Sequence, residues 1–127
     1  MTGNNELGLV SLSTHEAKCV LAVPDETQGH VKLVHFTDEK KVVNVSAHNG
    51  SVAAMRLSQD GTILVTASDK GTLLRLFNTE TGEKITEVRR GADHAVITDI
   101  NIDSTNRFLC SASDKGTVHV FSMNDGE

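Results

Sequence analysis

Five residues, SDKGT, occur twice in this chain, at Ser68–Thr72 and at Ser113–Thr117. The match widens around them. TILVTASDKGTLLRLFN (Thr62–Asn78) aligns with RFLCSASDKGTVHVFSM (Arg107–Met123) at an offset of 45 residues throughout. A looser copy, VLAVPDETQGHVKLVHF (Val20–Phe36), places Gly29 at 42 positions before Gly71. A period of about 40–45 residues is that of a propeller blade, a unit that buries its apolar faces only by stacking on neighbours.

The middle unit reads as four short strands. VAAMRLS (Val52–Ser58), TILVTAS (Thr62–Ser68), TLLRLFN (Thr72–Asn78) and KITEVR (Lys84–Arg89) are separated by QDG, DKG and ETG turns. Such runs are rich in β-branched residues and bounded by turn formers. The first unit covers about residues 7–46, the middle one 52–89 and the third 96–122. Pro24 falls at the end of a run, where no ladder donor is lost. The third unit has VITDINI, RFLCSAS and TVHVFSM and then reaches NDGE, so its fourth strand is expected to be missing. No segment shows a helical stripe. The expected fold is all-β: residues 1–127 as a single partial β-propeller of about three four-stranded, WD-repeat-like blades, the last incomplete. Such a chain reads as a piece of a propeller, or as one that self-associates through open blade edges.

Composition narrows the function. Trp and Tyr are absent and only four Phe occur, so the core must be built from Val, Leu, Ile and Ala. A formal charge of −5 argues against a nucleic-acid surface. Cys19 and Cys110 stand in apolar runs without a C-x-x-C spacing and read as reduced, buried thiols; no metal site is expected. MTGNNELG lacks the basic and apolar regions of a signal peptide, and no run is long enough to span a bilayer. The N-x-S triplets at Asn44 and Asn49 are therefore read as chance. H-E-x-x-H, G-x-S-x-G and P-loop patterns are missing; Asp25–Glu26 and Asp38–Glu39 read as solvated pairs. The chain is expected to be neither an enzyme nor cofactor-dependent.

Between the two SDKGT copies lies VRRG (Val88–Gly91). It falls where one blade crosses to the next. Neighbouring side chains in extended backbone point to opposite sides, so Arg89 and Arg90 should diverge, each toward one copy of the repeated motif.

SDKGT followed by RRG and then SDKGTVHVF resembles the PROPPINs, the phosphoinositide-binding β-propellers of autophagy. Their F/L-R-R-G signature has Val88 at its first position here, and the likeness runs from about Leu7 to Ser122. The resemblance implies two pockets for the head group of phosphatidylinositol 3-phosphate or the 3,5-bisphosphate. Carried onto this sequence, the first would use His48, Ser68, Lys70, Thr72, Arg75 and Arg89. The second would use Arg90, Ser111, Ser113, Lys115, Thr117 and His119. Guanidinium forks pair with phosphate oxygens, and hydroxyls donate further bonds. Gly71 and Gly116 are expected to keep room for the ligand. His15, His30 and His35 read as surface or structural residues, and Asp93 and His94 are not assigned as ligands. The family resemblance also implies autophagy proteins as partners. It further implies a cytoplasmic protein peripheral on autophagosome-precursor, endosomal or vacuolar membranes. The membrane-inserting loop of that family is expected to be absent. The competing expectation is a WD-repeat scaffold for protein partners that ignores lipid, with VRRG a plain inter-blade crossover.

Overall fold

Alternating apolar residues and Gly-bearing turns give eleven short strands among the described residues of a computed structural model. Those residues are 9–15, 18–36, 41–91 and 93–122; for Ser13, Thr14, His15 and Lys18 only the backbone is described. The first sheet contains β1 (Ser11–His15), β2 (Lys18–Pro24), β3 (His30–His35) and β4 (Lys41–Ser46). The second contains β5 (Val52–Leu57), β6 (Ile63–Ser68), β7 (Leu73–Asn78) and β8 (Lys84–Arg89). The third contains β9 (Ile97–Ile102), β10 (Phe108–Ser113) and β11 (Val118–Ser122). Each sheet is an antiparallel meander in chain order. The fold is an all-β partial propeller. The expected break after β11, and the Asp38–Glu39 pair, lie outside the described residues.

The sheets stack face to face through two aliphatic layers, as the shortage of aromatics requires. Val20, Ala22, Val31, Leu33, Val43 and Val45 of the first sheet meet Met55, Leu57, Leu64 and Phe77 of the second. The opposite face of the second sheet, with Ala54, Val65, Ala67, Leu74 and Leu76, meets Ile97, Ile100, Ile102 and Leu109 of the third. Cys19 and Cys110 are half-buried rather than fully buried.

Polar bonds tie neighbouring sheets together. His35, buried, is bonded through Nε2 to the Thr79 carbonyl at 2.8 Å. Asn106 Nδ2 donates to Asp60 Oδ2 at 2.9 Å. Burial alone would raise the Asp60 pKa, but hydrogen bonds from Ser58, Thr62 and Asn106 outweigh it and hold it at about 2.

The strand pairing corrects the repeat alignment. Ala67 pairs with Leu74, whereas its counterpart Ala112 pairs with Val118. The second sheet therefore has one more residue in the turn than the third. The offset is 45 up to the turn and 44 along the strand after it. Had 45 held throughout, every side chain of β11 would lie on the other face. The counterpart of Arg75 is His119, and those of Leu74 and Leu76 are Val118 and Val120.

Candidate functional site

The VRRG segment ends β8 and begins the crossing to β9, so it sits between the two sheet junctions. Arg89 pairs with Leu73 and Glu87 with Arg75, placing all four on the face turned to the first sheet. The Arg89 side chain is exposed, and it has no hydrogen bond or ion pair with another described residue. Arg90 turns the other way. Its backbone N–H donates to the Thr72 carbonyl at 2.8 Å. Its guanidinium donates through Nε to the Gly71 carbonyl and through an η nitrogen to the Asp93 carbonyl. The two arginines diverge, but they are differently committed: among the described residues Arg89 has no polar partner, whereas Arg90 clamps the crossing.

At the first junction a row of cross-strand partners, Met55, Thr66, Arg75 and Glu87, faces the first sheet. His48 reaches this row from the linker between β4 and β5. It is buried, and its Nε2 lies 2.9 Å from the Thr66 hydroxyl. Burial, aided by the nearby Arg75 guanidinium, lowers the His48 pKa to about 4. Arg75 donates an η N–H to the Ala47 carbonyl at 2.8 Å, and its Nε is 3.4 Å from Glu87 Oε1. That Nε is buried and makes no well-aligned hydrogen bond, so the pair is an electrostatic contact. A hydrogen bond from Lys84 and the Arg75 charge keep the Glu87 pKa below its usual value. Ser68 accepts the Lys70 N–H at 3.3 Å, and Lys70 is exposed. Thr72 contributes its carbonyl to Arg90. His48 and Arg75 are thus packed between the sheets, while Ser68, Lys70 and Arg89 stand toward the rim.

The second junction repeats the row with Ile100, Ser111 and His119. The Ser111 hydroxyl is buried and has no partner among the described residues. Ser113 and Thr117 hydroxyls lie 3.2 Å apart, and Ser113 Oγ accepts the Lys115 N–H at 3.3 Å. His119 stacks on Phe121, with ring centroids 6.3 Å apart. Lys115 is exposed. His94 is exposed on the linker, and no cluster of potential metal ligands occurs among the described residues.

Three residues went unread in the sequence. Thr66 is the polar residue in an otherwise apolar run, ILVTAS, which marks it as bonded when buried. Asp69 and Asp114, the acidic members of SDKGT, reach back to the incoming linkers. Their N–H groups each donate at 2.9 Å, to Ser51 and Val96 carbonyls, and Asp114 Oδ1 accepts the Val96 N–H at 3.0 Å. The room expected at Gly71 is also taken. A β-carbon there would stand 1.9 Å from the Ala95 carbonyl oxygen, so the glycine admits backbone rather than a ligand.

Comparison with known proteins agrees with this architecture. The PROPPIN family model matches residues 2–126. An SVP1-like protein 2 of Emericella nidulans is 43% identical over 96% of this chain, which covers 37% of that relative. Autophagy-related protein 18e of Arabidopsis thaliana is 40% identical over 94% of the chain, which covers 32% of it. The solved structure of Kluyveromyces lactis Hsv2 superposes with a TM-score of 0.78 at 31% identity, covering 91% of this chain and 38% of its own. The chain spans between about a fifth and two fifths of the length of the relatives it matches. Three stacked sheets, a twice-built SDKGT turn and a divergent arginine pair at the crossing, together with these matches, place the chain in the PROPPIN family.

Proposed function

We propose that the chain binds phosphoinositide head groups, phosphatidylinositol 3-phosphate or the 3,5-bisphosphate, at the two junctions flanking VRRG. In this reading it helps to bring autophagy proteins to membranes carrying those lipids. The observation that carries it is Arg89: an exposed guanidinium with no partner among the described residues, at a rim that also holds Ser68 and Lys70. A phosphate there would receive a forked, charge-assisted pair of hydrogen bonds. At the second junction the unpartnered Ser111 hydroxyl and the exposed Lys115 supply a donor and a charge. Arg90 acts chiefly by fixing the crossing that separates the two sites.

Arg90 also favours the scaffold reading, because its guanidinium is used on backbone carbonyls as a plain crossover would use it. Vesicle co-sedimentation separates the two. The chain should pellet with vesicles containing the 3-phosphorylated lipid and stay in solution with neutral vesicles. Arg89→Thr should weaken pelleting about tenfold, the loss of one good charge-assisted contact, while leaving the unfolding midpoint unchanged. Equal pelleting of both proteins would reject the head-group reading.

A further inference from the structure

The bend that carries His48 to the first junction continues through Asn49 and Gly50, the one Asn–Gly step in the sequence. Its two ends are fixed. The Ala47 and His48 N–H groups both donate to the Gly29 carbonyl at 3.0 Å. Beyond it, Ser51 accepts a 2.8 Å bond from Gln28 and gives its carbonyl to Asp69. The step between is unpinned: Asn49 is exposed, and neither its side chain nor the Gly50 N–H is bonded to a described group. The other described asparagines are protected. Asn44 lies in the β3–β4 ladder before a β-branched residue. Asn78 and Asn106 have engaged side chains, as does Asn101, which accepts from Arg56.

We propose that Asn49 is a spontaneous modification site that installs a negative charge at the first junction. The Gly50 backbone nitrogen attacks the Asn49 side-chain carbonyl carbon. The nitrogen's proton is lost, the C–N bond of the carboxamide breaks, and ammonia departs, leaving a five-membered succinimide. Water then adds to either ring carbonyl and opens it, giving aspartate or isoaspartate. No oxidant or second protein is involved. Glycine favours the attack because no β-carbon shields its nitrogen. Either product adds a carboxylate beside Asp69, whose Oδ1 lies 3.0 Å from where a Gly50 β-carbon would be. Isoaspartate also lengthens the main chain by one carbon between His48 and Gly50, in a bend already pressed on Gly29. The chemical step stands by itself; its effect on binding rests on the head-group reading.

The test is incubation of the chain at mildly alkaline pH, with peptide mapping by mass spectrometry and vesicle co-sedimentation of fresh and aged protein. Replacement of NH2 by OH should concentrate at residue 49, slow strongly in Gly50→Ala and vanish in Asn49→Gln. Aged protein and Asn49→Asp should lose most of their pelleting with 3-phosphorylated vesicles, while aged Asn49→Gln keeps it. Conversion spread equally over Asn44, Asn78 and Asn49, or no conversion at all, overturns the modification site. Conversion at Asn49 with pelleting unchanged overturns its effect on the junction. Fresh protein that ignores the vesicles removes the head-group reading and with it that effect, and the mass readout still decides the chemistry.

Discussion

The two SDKGT turns share every residue and differ in what surrounds them. In the second sheet, Gly71 backs onto the linker to the third sheet, with the Ala95 carbonyl filling its vacant side. In the third sheet, Gly116 holds a similar backbone, φ +77° against +69°, with nothing within 4 Å of its missing β-carbon. The strands after the turns differ likewise. Leu74 and Leu76 are 0% and 2% exposed, whereas Val118 and Val120, their counterparts, are 68% and 67% exposed. The same five residues thus build a glycine turn in both places, one residue longer in the second sheet than in the third. Whether that hairpin has an interior is decided by the neighbouring sheet.

The comparison can be broken most easily at the glycines. Gly71→Ala drives a β-carbon into a backbone carbonyl and also forces a left-handed conformation, so it should cost at least 3 kcal/mol and in practice unfold the stack. Gly116→Ala carries only the conformational term, about 1 kcal/mol. Equal denaturation midpoints for the two variants would contradict the packing of Gly71 against Ala95. Next in size, Leu74→Ala should cost about 3 kcal/mol by leaving a cavity. Val118→Ala, at an exposed position, should stay within about 0.5 kcal/mol. Urea melts of the pair measure the ratio directly.

The linkers extend the comparison to pH. The first junction holds a buried histidine; the linker into the third sheet carries the exposed His94 instead. The unfolded chain takes up a proton at His48 near pH 6.5, and the folded one only near 4. Stability is therefore whole above pH 6.5 and lost as the pH falls toward 4, by about 2–3 kcal/mol. His48→Gln, which can still bond Thr66, should flatten that slope, and stability measured from pH 7 to 4.5 checks it.

The repeat alone made the stacked-sheet architecture readable, because a blade is a supersecondary unit with its own period. Its fine phase was not readable. Direct alignment of Thr62–Asn78 with Arg107–Met123 hides the extra residue in the turn of the second sheet, since SDKGT matches without a gap and Leu, Val and Phe fit either face. Only the pairing of Ala112 with Val118 shows that His119, not Val120, stands where Arg75 does. The divergence of Arg89 and Arg90 followed from extended backbone. Their unequal roles did not, since they depend on carbonyls of Gly71 and Asp93 brought near by the crossing. His48 was legible as a polar residue of the first junction, but its bond to Thr66 joins a linker to a strand 18 residues away and leaves no mark in either segment.

Bonds that join the sheets run between adjacent ones, among them His35 to Thr79, Arg75 to Ala47, Arg56 to Asn101 and Asn106 to Asp60. Among the described residues no sheet is braced by a strand borrowed from elsewhere in the chain. Drawn out by its two termini, such a molecule should lengthen as a staircase, one meander per step, with the least-covered sheet giving way first. Its mechanical toughness is then that of its weakest junction rather than the sum of all of them.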